Sequence, residues 1–134
     1  MAAPHLNPLL RLGGDLRGTL PNPSLIGIGI PQNTQSGDYT VDEEDNGKHI
    51  FHASGAGSGH TYTIPANGTA PLKIGFAFTV VNLDSNALAI AIDTDDLTWC
   101  PSGQTGAREL AEAGVATFLK VTATAWVCFG VGLS

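Results

Sequence analysis

The sequence predicts an all-β fold: an antiparallel β-sandwich or jelly-roll-like barrel behind an extended N-terminal arm. From Tyr39 onward short runs recur, DYTV, KHIFHA, HTYTIP, FAFTVVN, ALAIAI, LTW, VATFLKV and AWVCFG, and each is broken by Gly, Pro, Asn or Asp. Several alternate in polarity. Tyr62 and Ile64 flank Thr63, and Phe76, Phe78 and Val80 interleave with Ala77, Thr79 and Val81, which is the period of half-buried antiparallel strands. Residues 1–35 hold five of the eight prolines, and proline, lacking an N–H donor, excludes a long helix there. Short strands separated by turn residues close into a sandwich or barrel.

The arm, residues 1–35, is rich in Pro and Gly yet not polar. Leu6, Leu9, Leu10, Leu12, Leu16, Leu20, Leu25, Ile26, Ile28 and Ile30 are branched aliphatics, more than a flexible linker carries. An extended segment that lies in a groove on another molecule would use them, and packing on its own domain is the plainer alternative. Leu25–Pro31 can add one edge strand with Ile26, Ile28 and Ile30 on one face, and an exposed edge of that kind invites pairing with a neighbouring chain.

The β-domain is expected over residues 36–134. Asp42–Asp45 forms an acidic turn and Asn46-Gly47 a hairpin-type turn, with a short helical turn across Asp42–Asn46, stopped by Gly47, as the alternative. The GAGSG stretch from Gly55 to Gly59 is an exposed loop between two strands. Between Leu97 and Gly114 the chain is irregular, and RELAEA is its one helix-like window, too short to stand alone. Ala113-Gly114 then leads into GVATFLKV.

Composition narrows the function. The 134 residues suit one domain, and 43% hydrophobic content supports a real core. Net charge is −6, and the six basic residues, Arg11, Arg17, Lys48, Lys73, Arg108 and Lys120, are scattered, so nucleic acid is a poor partner. Charged residues make up only 13%, which suits contact with neighbouring subunits. No run approaches the roughly 20 apolar residues of a membrane helix. Arg11 interrupts Leu9, Leu10 and Leu12 and GGD follows, unlike a signal peptide; synthesis in the cytoplasm is expected. Cys100 and Cys128 then read as reduced, buried thiols beside Trp99 and beside Val127 and Phe129.

Reactive clusters are not evident, and the sequence reads as non-enzymatic, without cofactor or metal. His49 and His52 point to opposite faces of one strand. Asp93, Asp95 and Asp96 lack the glycine and distal glutamate of a calcium loop. Glu109 and Glu112 sit too close to face each other across a sugar. Ser54, Ser58 and Ser102 have no nucleophile-elbow setting. GAGSG lacks the helix and lysine that a phosphate needs. Trp126 reads as core or subunit interface. Trp99, Tyr62 and His60 form the candidate ligand or partner surface, because aromatic residues on a β-surface can stack on sugars or anchor partners.

The run GKHIFHASG…HTYTIPANG…AFTVVNLDSNALAIAI…DDLTWCPSGQTGARELAEAGVATFLKVTATAWVCFGVGL resembles a β-rich domain of tailed-bacteriophage structural proteins. The matching pieces are Asn46–Lys48, Thr63–Asn67, Thr79–Asn82, Ala89–Ile92, Gly106–Leu110, Gly114–Thr117, Lys120–Thr122 and Thr124–Leu133, in order across about residues 39–134. NLDSNA, the two cysteines and the arm depart from the pattern. The resemblance implies a virion component without catalytic residues: a capsid decoration (cement) or head-spike protein that binds the major capsid protein or other virion proteins. It further implies a homo-oligomer, a trimer by analogy. Leu6, Leu9, Leu10, Leu12, Leu16, Leu20, Leu25 and Ile26 would be its attachment residues, and the arm suits a short stand-alone protein. The alternative is a receptor- or glycan-binding tip of a tail fibre or spike, contacting a host glycan. A polysaccharide-degrading enzyme is disfavoured by size and by the missing carboxylate pair.

Overall fold

The computed structural model describes residues 16–17, 24–25 and 29–134 and divides the chain into two units, Met1–Pro31 and Gln32–Ser134. In the first unit β1 (Leu16–Arg17) pairs antiparallel with β2 (Ser24–Leu25), Leu16 opposite Leu25. The attachment positions Leu6, Leu9, Leu10, Leu12, Leu20 and Ile26 lie outside the described residues, as do the side chains of Leu16 and Leu25 and residues 26–28 of the proposed edge strand.

The second unit is one ten-stranded sheet folded over on itself. Its strands are β3 (Gln32–Thr34), β4 (Tyr39–Thr40), β5 (His49–His52), β6 (Thr61–Ile64), β7 (Ala77–Asn82), β8 (Leu88–Ile92), β9 (Asp96–Trp99), β10 (Gln104–Thr105), β11 (Arg108–Thr122) and β12 (Ala125–Leu133). One layer runs β10-β9-β12-β11-β7-β5-β3, and the other, β4-β6-β8, joins it along the start of β11. The all-β sandwich class holds.

The pairing is mixed, however, and not antiparallel throughout. Strands β3 to β8 alternate between the layers and lie parallel within each: Asn33, Ile50 and Val80 share one register line, and Tyr39, Tyr62 and Ile90 another. Each parallel step is bridged by a strand of the opposite layer, which supplies the long crossover that parallel neighbours require. The hairpin β11–β12 then pairs antiparallel against β7 and β8. Period two fixes which side chains face inward; it carries no information about the direction of the next strand.

β11 passes from one layer to the other. Arg108–Leu110 pairs with β8 and Gly114–Leu119 with β7, with a register shift between Leu110 and Val115. At the bend Ala113 takes φ 59°, a left-handed conformation that costs a residue with a Cβ roughly 1–2 kcal/mol. Buried Asn82 ties the bend down, its Nδ2 donating to the carbonyls of Leu110 (3.0 Å), Ala111 (3.2 Å) and Asn86 (2.9 Å). The helix-like RELAEA window is therefore strand. Six residues are too few to nucleate a helix, while the edge of β8 pairs with Arg108–Leu110.

Alternate residues of β5, β6 and β7 are buried, and both layers contribute to one core. Phe78 and Phe118, cross-strand partners, stack at 5.0 Å, and Trp126 meets Phe76 and Phe78 edge-on at 5.9 and 6.0 Å. Such pairs add about 0.5–1.5 kcal/mol each beyond their area. Lys120 continues the inward row of Ala116 and Phe118; its Nζ donates to Asn67 Oδ1 (2.9 Å) and the Leu72 carbonyl (2.7 Å), and lies over the Trp126 ring. The acidic segment forms a 3-10 turn, Glu43–Asp45, capped by Asp42. No helix among the described residues is long and apolar enough to cross a membrane.

Candidate interaction surface

The inward rows of β5, β7, β11 and β12 fill the core, so their alternate residues form the outer face of the larger layer. Register places these in three lines: Phe51, Val81, Val115 and Val131; His49, Thr79, Thr117 and Phe129; Ala77, Leu119, Val127 and Thr98. A bond between Thr79 Oγ1 and Thr117 Oγ1 (2.8 Å) places both hydroxyls on that side. None of the three lines contains Asp, Glu, Lys or Arg. Val131 is 78% exposed, Phe129 52% and Val115 42%. Soluble proteins rarely leave apolar side chains contiguous in this way unless the patch has a partner.

The sequence pointed elsewhere for partner contact. Tyr62 lies in the core, 1% exposed, because β6 alternates it inward with Ile64. Its hydroxyl donates to the Gln35 carbonyl (3.1 Å) and meets His52 Nδ1 at 2.8 Å, and burial pushes the phenol well above its ordinary pKa. Tyr62 is therefore no part of a surface. His60 is half-buried at the GAGSG loop, Nε2 3.1 Å from the Ala56 carbonyl and Nδ1 3.8 Å from the Asp38 carboxylate, with its ring against His52. Trp99 packs partly against the core, and the Arg108 guanidinium covers its ring at 5.5 Å. Trp99 sits on β9, four strands from β5 and His52 in the layer order, so Trp99, Tyr62 and His60 do not form one site.

Several other ionisable groups hold the fold together. Asp45 accepts from Tyr39 Oη (2.7 Å), Asn33 Nδ2 (2.8 Å) and the Asp42 N–H (2.9 Å); burial and then the Asp45 carboxylate push the Tyr39 phenol up. Asp84 accepts from Asn86 Nδ2 and N–H and from the N–H groups of Gly57 and Gly55, closing the GAGSG loop. These bonds, the Asn86 side chain first, hold its carboxyl down to about 2. His49 and His52 fall on opposite faces of β5. Asp95 is engaged with the Asn67 N–H (2.9 Å). Among the described residues no three His, Cys, Asp or Glu side chains converge on a metal-sized site. Both thiols are free; burial pushes Cys128 up to about 11, whereas Cys100, expected buried, is exposed in the turn after β9. A cleft of about 660 Å³ floored by Val41, Leu72 and Phe76 opens beside the 3-10 turn.

The outer face was missed although its sign is in the sequence. Strands GVATFLKV and AWVCFG are apolar on both alternations, and the lysine falls on the inward one. A strand solvated on its second face would place its polar residues there. No protein-family model matches the chain, and no curated protein matches it significantly.

Proposed function

We propose that this chain is a structural component of a bacteriophage virion, a capsid decoration or head-spike protein whose β-domain assembles through its outer sheet face and whose N-terminal arm binds the shell. The observation that carries the reading is the outer face of β5, β7, β11 and β12, without Asp, Glu, Lys or Arg on three register lines and with Val115, Phe129 and Val131 exposed on it. The ordered resemblance over residues 39–134 directs it to virion proteins. Burying apolar surface returns about 25 cal/mol per Å², and part of that is lost to association. A repeating lattice makes modest contacts sufficient, because linked copies bind with avidity. The leucine-rich arm would lie against the major capsid protein, where Leu6, Leu9, Leu10 and Leu12 leave water.

Deleting residues 1–30 tests the attachment. The truncated protein should keep its β-sheet circular dichroism and lose co-sedimentation with particles. Full occupancy by the truncated protein would overturn the arm's role.

A further inference from the structure

Independently of the virion reading, we infer that Lys120 and Asn67 join in an intrachain isopeptide bond, Lys120 Nζ to Asn67 Cγ, with loss of ammonia. Charge is the first reason. Lys120 is 2% exposed. Among the described residues its Nζ meets only neutral partners: Asn67 Oδ1 (2.9 Å), the Leu72 carbonyl (2.7 Å) and the Trp126 ring (5.8 Å). A buried ammonium without an opposite charge is costly to keep. Condensation replaces it with a neutral amide in the same place.

Geometry is the second reason. A carbonyl bond is about 1.23 Å long, so the 2.9 Å contact with Oδ1 holds Nζ within about 4 Å of Cγ. Both residues are fixed from behind. The Lys120 N–H donates to the Phe76 carbonyl (2.9 Å), the Lys120 carbonyl accepts from the Gly75 N–H (2.8 Å), and the Asn67 N–H donates to Asp95 Oδ2 (2.9 Å). Groups held in this way react at an effective concentration far above any reached in solution.

Asp95 is the one carboxylate that contacts the pair among the described residues, and it serves as the base. The ammonium first gives it a proton, which frees the Nζ electron pair, the nucleophilic form of a lysine. Nζ attacks Cγ, a new C–N bond forms, and the carbonyl electron pair moves onto Oδ1. As that pair returns, the Cγ–Nδ2 bond breaks and the second proton of Nζ passes to Nδ2. Ammonia leaves and takes the proton from Asp95 with it as ammonium. Asn67 is half-buried, so the ammonia reaches solvent, while the Lys120 end stays shielded from hydrolysis.

The test is the intact mass of the purified full chain, denatured after incubation at neutral pH, followed by a proteolytic peptide map. The wild type should weigh one ammonia less than its sequence, and the map should show the peptide of Asn67 joined to that of Lys120. Asn67→Ala and Lys120→Arg should each return the sequence mass, and Asp95→Asn should form the link at least tenfold more slowly. The wild-type measurement decides the matter even where a variant fails to fold. A wild type at its full sequence mass overturns the inference. So does a missing ammonia without joined peptides, which would mean a succinimide at Asn67-Gly68. An unchanged rate in a folded Asp95→Asn variant would overturn the part given to Asp95.

Discussion

Asp84 shows how much of this fold a single carboxylate fixes. Four donors from Asn86, Gly55 and Gly57 hold it ionised, with a pKa near 2 in place of its ordinary 3.8. A depressed carboxyl binds its proton more readily unfolded than folded, so its contribution is complete above about pH 4 and fades as pH falls through 2. Asp84→Asn should melt below the wild type at pH 7, and the gap should close between pH 4 and 2. A gap independent of pH in thermal melts would deny the ionised carboxylate its role. The sequence showed NLDSNA only as a turn; that its aspartate would reach the GAGSG loop depends on tertiary contact between residues 55–57 and 84. Tyr62 gives the opposite lesson. The alternation that identified β6 also turned Tyr62 inward with Ile64, and burial outweighed the aromatic's suitability as a partner contact.

At the scale of elements the bend of β11 decides the architecture. Asn82, fully buried, donates to two carbonyls there, Leu110 and Ala111, and to that of Asn86 before β8, and accepts from the Asp84 N–H (3.0 Å). Asn82→Ala strands those carbonyls without replacing their partner, at a cost of about 2–3 kcal/mol. Chemical denaturation should record that loss, and a change within about 0.5 kcal/mol, typical of surface positions, would mean that the bend holds itself. Strands β5 to β9 and β12 were legible from their period, because most inward positions are apolar, whereas β3, Gln32–Thr34, expected within the arm, and β10, Gln104–Thr105, carry no such pattern. RELAEA was not legible either. Helical spacing over six residues is satisfied equally by a strand, and only β8 alongside decides between them. The parallel order of β3, β5 and β7 was likewise hidden, since direction is set by how the chain alternates between layers.

At the scale of the described β-unit the larger layer has an inner side filled by the core and an outer side with exposed Val115, Phe129 and Val131 and no Asp, Glu, Lys or Arg on its three lines. The candidate surface was legible in part: GVATFLKV and AWVCFG could have been read as strands buried on two faces. The turn residues and aromatics nearby drew the reading toward Trp99, whose ring Arg108 covers. On the proposed reading, a repeating shell would provide both a surface for the arm and neighbours for the sheet. The copy number of this chain in purified particles, measured against the major shell protein, tests that claim most directly. The account predicts many copies per particle in a fixed ratio to the shell protein. Particles that contain none would contradict it.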